Sequence, residues 1–259
     1  MANTLNIALG HKGFPTEHGH AVDIFLSSRA LYDMRRTIVI DDSYFGPHGS
    51  ALSEYAQLMW LSDHFDAVVD DFEYVRIFQY RRFVSRDRIG LETNASYISY
   101  VTPHEIAAFQ DDFLRTSKAE LFNRPFSFPG GMLGQYASGH LFDDLLNFVK
   151  FLTRSGILNP VQAASFLRED VLIPACNMGV FKRETLRVVL GILRRAAGFL
   201  QSPDFVPQVG YHHRSLGFMM ERFNSFILCD MMRQNVIPQT FGNHILISQS
   251  PVIENTIDI

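Results

Sequence analysis

The sequence predicts an α/β fold, a mixed and partly parallel sheet flanked by helices, with a helix-rich second half. Three observations carry this expectation. Short apolar runs in the first eighty residues have strand character and end in polar loops, amphipathic helical spacing separates them, and helical periodicity dominates after residue 100. The 259 residues, 47% hydrophobic and 19% charged, suffice for a substantial core and argue against long disordered stretches.

Leu5-Asn6-Ile7-Ala8-Leu9 reads as a first buried strand running into Gly10-His11-Lys12, and Thr37-Ile38-Val39-Ile40 as a second. The intervening residues 20–35 are read as a weakly capped helix. Leu52, Tyr55, Ala56, Met59 and Trp60 then fall at helical spacing on one face, with Ser50 as N-cap. Tyr74-Val75-Arg76-Ile77-Phe78 is a strand that delivers Gln79, Tyr80, Arg81 and Arg82 at its carboxyl end.

Thr102-Pro103-His104-Glu105 combines a capping box with proline at the first helical position, so a helix is expected from there to about Ser117. Residues 125–135 read as a loop, and Pro129-Gly130-Gly131 is the strongest break in the chain. Leu141, Leu145, Phe148 and Leu152 mark an amphipathic helix, and Asn159-Pro160 opens another. The apolar run Val171 to Cys176 is a short strand leading into Asn177-Met178-Gly179. Leu186, Val189, Leu190, Leu193 and Ala197 line a long helix, a last helix runs from Gly217 to about Arg233, and 234–259 read as a polar tail with short extended pieces. The chain is thus expected to be one domain over 1–259, with a subdomain break or flap near 125–135.

Composition excludes several functions. With 23 basic and 27 acidic residues the formal charge is −4, which argues against nucleic-acid binding by bulk charge. Two cysteines, Cys176 and Cys229, are too few for a disulfide scaffold and lack metal-ligand spacing. No stretch approaches the roughly 18 apolar residues of a membrane span, and the first residues lack the pattern of a secretory signal. A cytoplasmic protein is expected, with peripheral docking at the inner membrane left open by its 23 phenylalanines. No Walker loop, G-x-G-x-x-G or G-x-S-x-G occurs. The sequence specifies no oligomeric state.

Three loops at predicted strand ends are candidates for ligand contact: His11-Lys12, Gln79-Tyr80-Arg81-Arg82, and Asn177-Met178-Gly179. In open α/β sheets ligands bind at the carboxyl ends of strands, and cationic side chains there suit phosphates. Only four of the basic residues are lysines, namely Lys12, Lys118, Lys150 and Lys182. A fourth cluster runs from Arg214 through Gly217 to Glu221 and Arg222. Gly217 permits a sharp bend into the helix, and Glu221 falls in its first turns, where the helix dipole favours the charged form. Such a carboxylate can act as a general base on a sugar hydroxyl. Asp-Asp pairs occur at 41–42, 70–71, 111–112 and 143–144, and no Asp-x-Asp occurs. The histidines form no metal motif.

Taken in order, these blocks resemble a bacterial family of uncharacterised-domain proteins of capsule, exopolysaccharide and O-antigen loci, regarded as glycosyltransferases with a GT-A-like (Rossmann-like) nucleotide-sugar-binding fold. Ile7 to Lys12 is similar to the family's opening strand ending in His-Lys. Leu52-Ser53-Glu54-Tyr55 through Trp60 resembles its Glu-Leu-Thr…Tyr-Trp helix, and Val75 to Phe83 resembles the strand ending in His-Tyr-Arg-Arg. Asn177 to Lys182 is similar to Asn-Met-Phe-Ile-Met-Lys, and Arg214…Gly217-Phe218…Glu221-Arg222 to Arg…Gly-Phe…Glu-Arg. Tyr136…His140…Asp144 is a fainter likeness to a Tyr…His…Asp pattern. Gln79 departs from the family, standing where it has histidine.

The resemblance implies transfer of a sugar from a nucleoside-diphosphate-sugar donor to a hydroxyl of a surface-polysaccharide or lipid-linked glycan acceptor. It places His11, Lys12, Gln79, Tyr80, Arg81, Arg82 and Asn177 at the donor and Glu221 as general base. Glu54, Tyr136, His140, Asp144, Arg214, Gly217 and Arg222 have supporting or acceptor roles. Because Asp-x-Asp is missing, arginines rather than Mn²⁺ or Mg²⁺ are expected to neutralise the diphosphate; a divalent cation stays open but is not favoured, and no metal-ligating residues are assigned. Two alternatives stay open, a non-catalytic nucleotide- or glycan-binding protein retaining the fold, and a hydrolase using two carboxylates.

Overall fold

The computed structural model describes residues 3–10, 22–28, 37–95, 97–106, 119–250 and 252. The predicted mixed α/β architecture is what it shows, and among the described residues ten strands make one sheet. Strand β1 (Thr4–Gly10) lies parallel to β2 (Ile24–Ser27) on one side and β4 (Tyr74–Gln79) on the other, and β3 (Thr37–Val39) pairs parallel to β2 at the edge. Beyond β4 the sheet turns mixed. The strands β5 (Arg82–Ser85), β6 (Leu91–Glu92), β7 (Ile98–Val101), β8 (Leu121–Asn123), β11 (Gly179–Lys182) and β12 (Phe241–Ile247) complete it, in the order β3-β2-β1-β4-β11-β8-β12-β7-β6. Strand β5 bridges β4 and β12 off that path. The strands β9 (Phe126–Ser127) and β10 (Val171–Leu172) form a separate antiparallel pair.

Alternation along β1 explains why the sheet is covered on both faces. Leu5, Ile7 and Leu9 point into the main core, and Ala8 points into a smaller cluster with Phe25, Phe78, Phe83, Val101, Ile245 and Ile247. The main core is closed by helices α1 (Tyr55–Asp63), α2 (Phe65–Val69), α3 (Gly131–Ala137), α4 (Phe142–Arg154), α5 (Pro160–Arg168), α6 (Arg183–Ala196) and α7 (Ser215–Arg233). Leu145, Phe148 and Leu152 of α4 are fully buried as their spacing predicts, whereas Leu141 precedes the helix and is exposed. Phe148 meets Phe199 and Phe223 edge-on, at ring-centroid distances of 5.5 and 5.9 Å. Asn159 caps α5 through a reciprocal bond pair with Gln162. Thr102 and Glu105 form the expected capping box at a helix that begins at residue 103.

Four sequence expectations need correction. Within 20–35, read as a helix, Ile24–Ser27 is a strand, because its four consecutive buried residues add to β1 as a parallel ladder. Ser50 caps nothing: α1 starts at Tyr55, after a 3₁₀ turn over Gly49–Leu52 and the left-handed Ser53 (φ 54°), and the Ser50 hydroxyl bonds the His213 ring instead. The 125–135 segment contains β9 and the start of α3 rather than loop alone. Within 234–259, read as a polar tail, Phe241–Ile247 is β12, an interior strand of the sheet with His244 through Ile247 all buried.

Strand β12 reaches β5 closely because residue 242 is glycine: a Cβ there would stand 2.5 Å from the Ser85 carbonyl oxygen and 2.8 Å from Val84 Cγ1. The obstacle is backbone and cannot swing away. Gly242→Ala is therefore expected to destabilise the protein by about 1–3 kcal/mol through overpacking, read as a lowered urea midpoint with an unchanged slope.

Candidate functional site

A cleft opens at the carboxyl end of β4, where the β4–β5 hairpin, the turn before β11, the start of α7 and β12 converge. Its walls include Ser53, Glu54, Tyr55, Gln79, Arg82, Phe126, Ala175, Asn177, Arg214, Gly217, Phe218, Glu221, Arg222 and His244. Two segments far apart in sequence make one of these walls by close approach. Gly217 sits inside the first turn of α7, and a Cβ there would stand 2.9 Å from Ser53 Cβ and 3.0 Å from the Leu52 carbonyl oxygen. The glycine serves this contact rather than a bend into the helix.

The contact is locked by charge. The Arg214 Nη2 donates to Ser53 Oγ at 2.6 Å and to Glu54 Oε2 at 3.2 Å, and the Ser53 hydroxyl donates to the same carboxylate. Burial alone would raise the Glu54 pKa, but Arg214 and the Ser53 hydroxyl overcome it and hold the carboxyl below its ordinary range. Glu221 goes the other way. Burial pushes its pKa up, against the opposing pull of Arg222, the Ala175 amide and Arg82. It lies in the second turn of α7, beyond the reach of the helix dipole, so the expectation that the dipole favours its charged form is corrected. Its Oε1 accepts the Ala175 N–H at 3.0 Å. Ser53 and Ala175 (φ 44°) both sit in the left-handed region, a strained conformation for non-glycine residues that clusters at functional sites.

The arginine pair divides. Tyr80 and Arg81 form the two-residue turn between Gln79 and its ladder partner Arg82. Arg81 is therefore exposed at the hairpin tip, with its guanidinium 5.5 Å from the Tyr80 ring centroid, and only Arg82 lines the cleft. Arg82 lies within electrostatic reach of Glu54 and Glu221 and makes no ion pair among the described residues. Gln79 Nε2 donates to Asn177 Oδ1 at 3.4 Å, so both predicted residues face the same space. His11 and Lys12 lie outside the described residues.

Tyr136, His140 and Asp144 do not line the cleft but form a buried layer behind it. The Arg222 guanidinium stands 5.1 Å from the Tyr136 ring centroid, and the His140 ring stacks on Phe218 at 4.4 Å. Burial, with Arg222 and His212 adding to it, lowers the His140 pKa to about 3. Burial raises that of Asp144, which accepts from Gln208 at 3.2 Å. His244 has no counterpart among the predicted residues, because it lies in the segment read as a tail. The run Ile245-Leu246-Ile247 beside it was the signal for a strand there.

The cleft's two carboxylates are engaged by Arg214 and Ser53, and by Ala175, and among the described residues no group of three or more His, Cys, Asp or Glu could hold a metal ion. Among the described residues no helix is long and apolar enough to cross a membrane.

The architecture is a mixed α/β fold with parallel and antiparallel strands in one sheet. The chain is similar to the apo structure of the bifunctional glycosyltransferase WbbM, with a TM-score of 0.72 and 13% sequence identity, over 95% of this chain and 46% of that one. The chain thus spans about half the length of that protein, and at this identity the likeness is one of fold. No family model and no curated protein matches the sequence.

The Arg214–Glu54 pair has a pH signature. A carboxyl whose folded pKa is lowered adds stability above its unfolded pKa, and loses that contribution as pH falls through the folded value. Arg214→Ala is expected to lower Tm at pH 7, and the gap to the parent protein should shrink in acid, as thermal melts across pH would show.

Proposed function

We propose that this chain is a glycosyltransferase that moves a sugar from a nucleoside-diphosphate-sugar donor to a hydroxyl of a surface-polysaccharide or lipid-linked glycan acceptor. The observation that carries the reading is the pairing, in one cleft of a fold similar to that of a glycosyltransferase, of an arginine without an ion-pair partner among the described residues and a half-buried carboxylate of raised pKa. Arginine recognises diphosphate oxygens through its fork of donors, and a carboxylate of raised pKa is a better base near neutral pH.

In the proposed step Glu221 takes the proton of the acceptor hydroxyl as its oxygen attacks the anomeric carbon. The bond from that carbon to the diphosphate oxygen breaks, and the nucleoside diphosphate leaves with the bonding pair. Arg82 stabilises the charge that develops there. Asn177 and Gln79 hydrogen-bond the sugar, and Arg214 holds Glu54 and the Ser53 turn in place. Tyr136, His140 and Asp144 support Phe218 and Arg222 from behind.

Glu221→Gln keeps the acceptor of the Ala175 N–H and removes the base. Turnover should fall about 10²–10⁴-fold with donor affinity nearly unchanged, measured by product formation and by calorimetry. A group whose folded pKa is raised stabilises below its unfolded pKa, and that contribution is lost as pH rises through the folded value. The variant should therefore melt higher than the parent protein at pH 7, with the difference closing in acid. A fully active Glu221→Gln enzyme removes Glu221 from the mechanism, and ligand binding by a parent protein without turnover would favour a binding role.

The donor is found by thermal shift with UDP, GDP, CMP, dTDP and their sugar conjugates, each with and without Mn²⁺, since a ligand binding only the native state raises Tm by mass action. The expected result is a shift with one nucleotide class that does not need Mn²⁺, is lost in Arg82→Ala and is kept in Arg81→Ala. Shifts that appear only with Mn²⁺ would contradict the arginine role.

A further inference from the structure

His244 stands on the cleft wall from the middle of β12 at 3% exposure, and neither ring nitrogen has a hydrogen-bond partner among the described residues. A neutral imidazole carries one donor and one acceptor, and leaving both unmade in a buried place is costly unless something supplies partners. The ladder fixes what stands beside it. In the antiparallel pairing of β12 with β5, His244 is opposite Val84 and Leu246 opposite Arg82, so the His244 and Arg82 side chains share one face and are diagonal neighbours. Tyr97 flanks the imidazole, with ring centroids 6.3 Å apart. Burial, reinforced by the charge of Arg82, lowers the imidazole pKa to about 3, so the ring is uncharged at neutral pH. An uncharged ring adds no anion attraction to that of Arg82. A donor or acceptor on such a ring instead suits an uncharged hydroxyl.

We infer that His244 is a ligand-contacting, specificity-determining residue that hydrogen-bonds a hydroxyl of a sugar ring beside the phosphate position held by Arg82. That the hydroxyl belongs to the donor sugar rests on the function proposed above, whereas the contact itself rests on the cleft geometry.

The test compares His244→Phe and His244→Leu, which remove both polar groups, with His244→Gln, which keeps a donor and an acceptor. Calorimetry with the nucleoside diphosphates, their sugar conjugates and free glucose, galactose and mannose reads the effect, and melting curves read folding. Expected is a loss of about tenfold in affinity for the sugar nucleotide in the apolar variants, the size of about one hydrogen bond, with affinity for the diphosphate alone unchanged and largely restored sugar-nucleotide binding in His244→Gln. Unchanged binding throughout overturns the role of His244 and leaves the transferase reading standing. Equal losses for nucleotide and sugar nucleotide, together with a lowered Tm, mark a structural residue and also overturn it. Free sugar binding that depends on His244, with no nucleotide bound by the parent protein, supports the role and removes the nucleotide-donor reading. A parent protein that binds neither overturns both.

Discussion

The approach of helix α7 to the Leu52–Ser53 turn is the contact on which the cleft depends. It is possible only because residue 217 has no side chain. It brings Arg214 to Ser53 and Glu54 and sets Glu221 against the Ala175 amide about two turns later. Two residues with left-handed backbones, Ser53 and Ala175, lie where the wall meets these groups. Each such conformation costs on the order of 1–3 kcal/mol and persists where its surroundings over-determine it. Here the surroundings are the hydrogen bonds of the cleft itself, so strain and site are held by the same atoms.

That arrangement also separates two carboxyls of similar intrinsic acidity. Glu54 keeps its charge because a guanidinium and a hydroxyl meet it, while Glu221 is half-buried with less compensation. Environments that push two acids apart allow one to remain a fixed charge and the other to exchange a proton. The layer behind them, Tyr136, His140 and Asp144, meets the cleft lining through the Phe218 ring and the Arg222 guanidinium. Its influence on a ligand would pass through packing.

Where a pattern repeats over several turns, the fold was legible in the sequence. The apolar stripe of Leu145, Phe148 and Leu152, the Asn159 cap and the stripe from Leu186 to Leu193 all report helices that bury one face. The strands β1 and β4 were readable from apolar runs ending in polar loops. Strand β2 was not, since four buried residues without alternation fit a buried helix as well as a strand. Strand β12 was missed because its pairing partners lie far away in the chain and its first half, Phe241-Gly242-Asn243-His244, holds only one large apolar residue. In the site, Glu54, Gln79, Arg82, Asn177, Arg214, Gly217, Glu221 and Arg222 do converge. What the sequence could not decide was parity: a two-residue turn sends Arg81 outward and Arg82 inward, and only the register reveals which.

Strand β12 also has a consequence for how the chain is made. It is threaded between β8, β5 and β7, whose residues all precede it by more than a hundred positions. While the ribosome is still reading the segment before residue 241, those three strands have unpaired edges, the kind of surface on which nascent chains associate wrongly. The wall carrying His244 does not exist until that late insertion. The cleft is therefore complete only once residues 241–247 have been made, and a chain stalled or clipped upstream of β12 would carry Glu221 and Arg82 without the strand that closes the cleft around them.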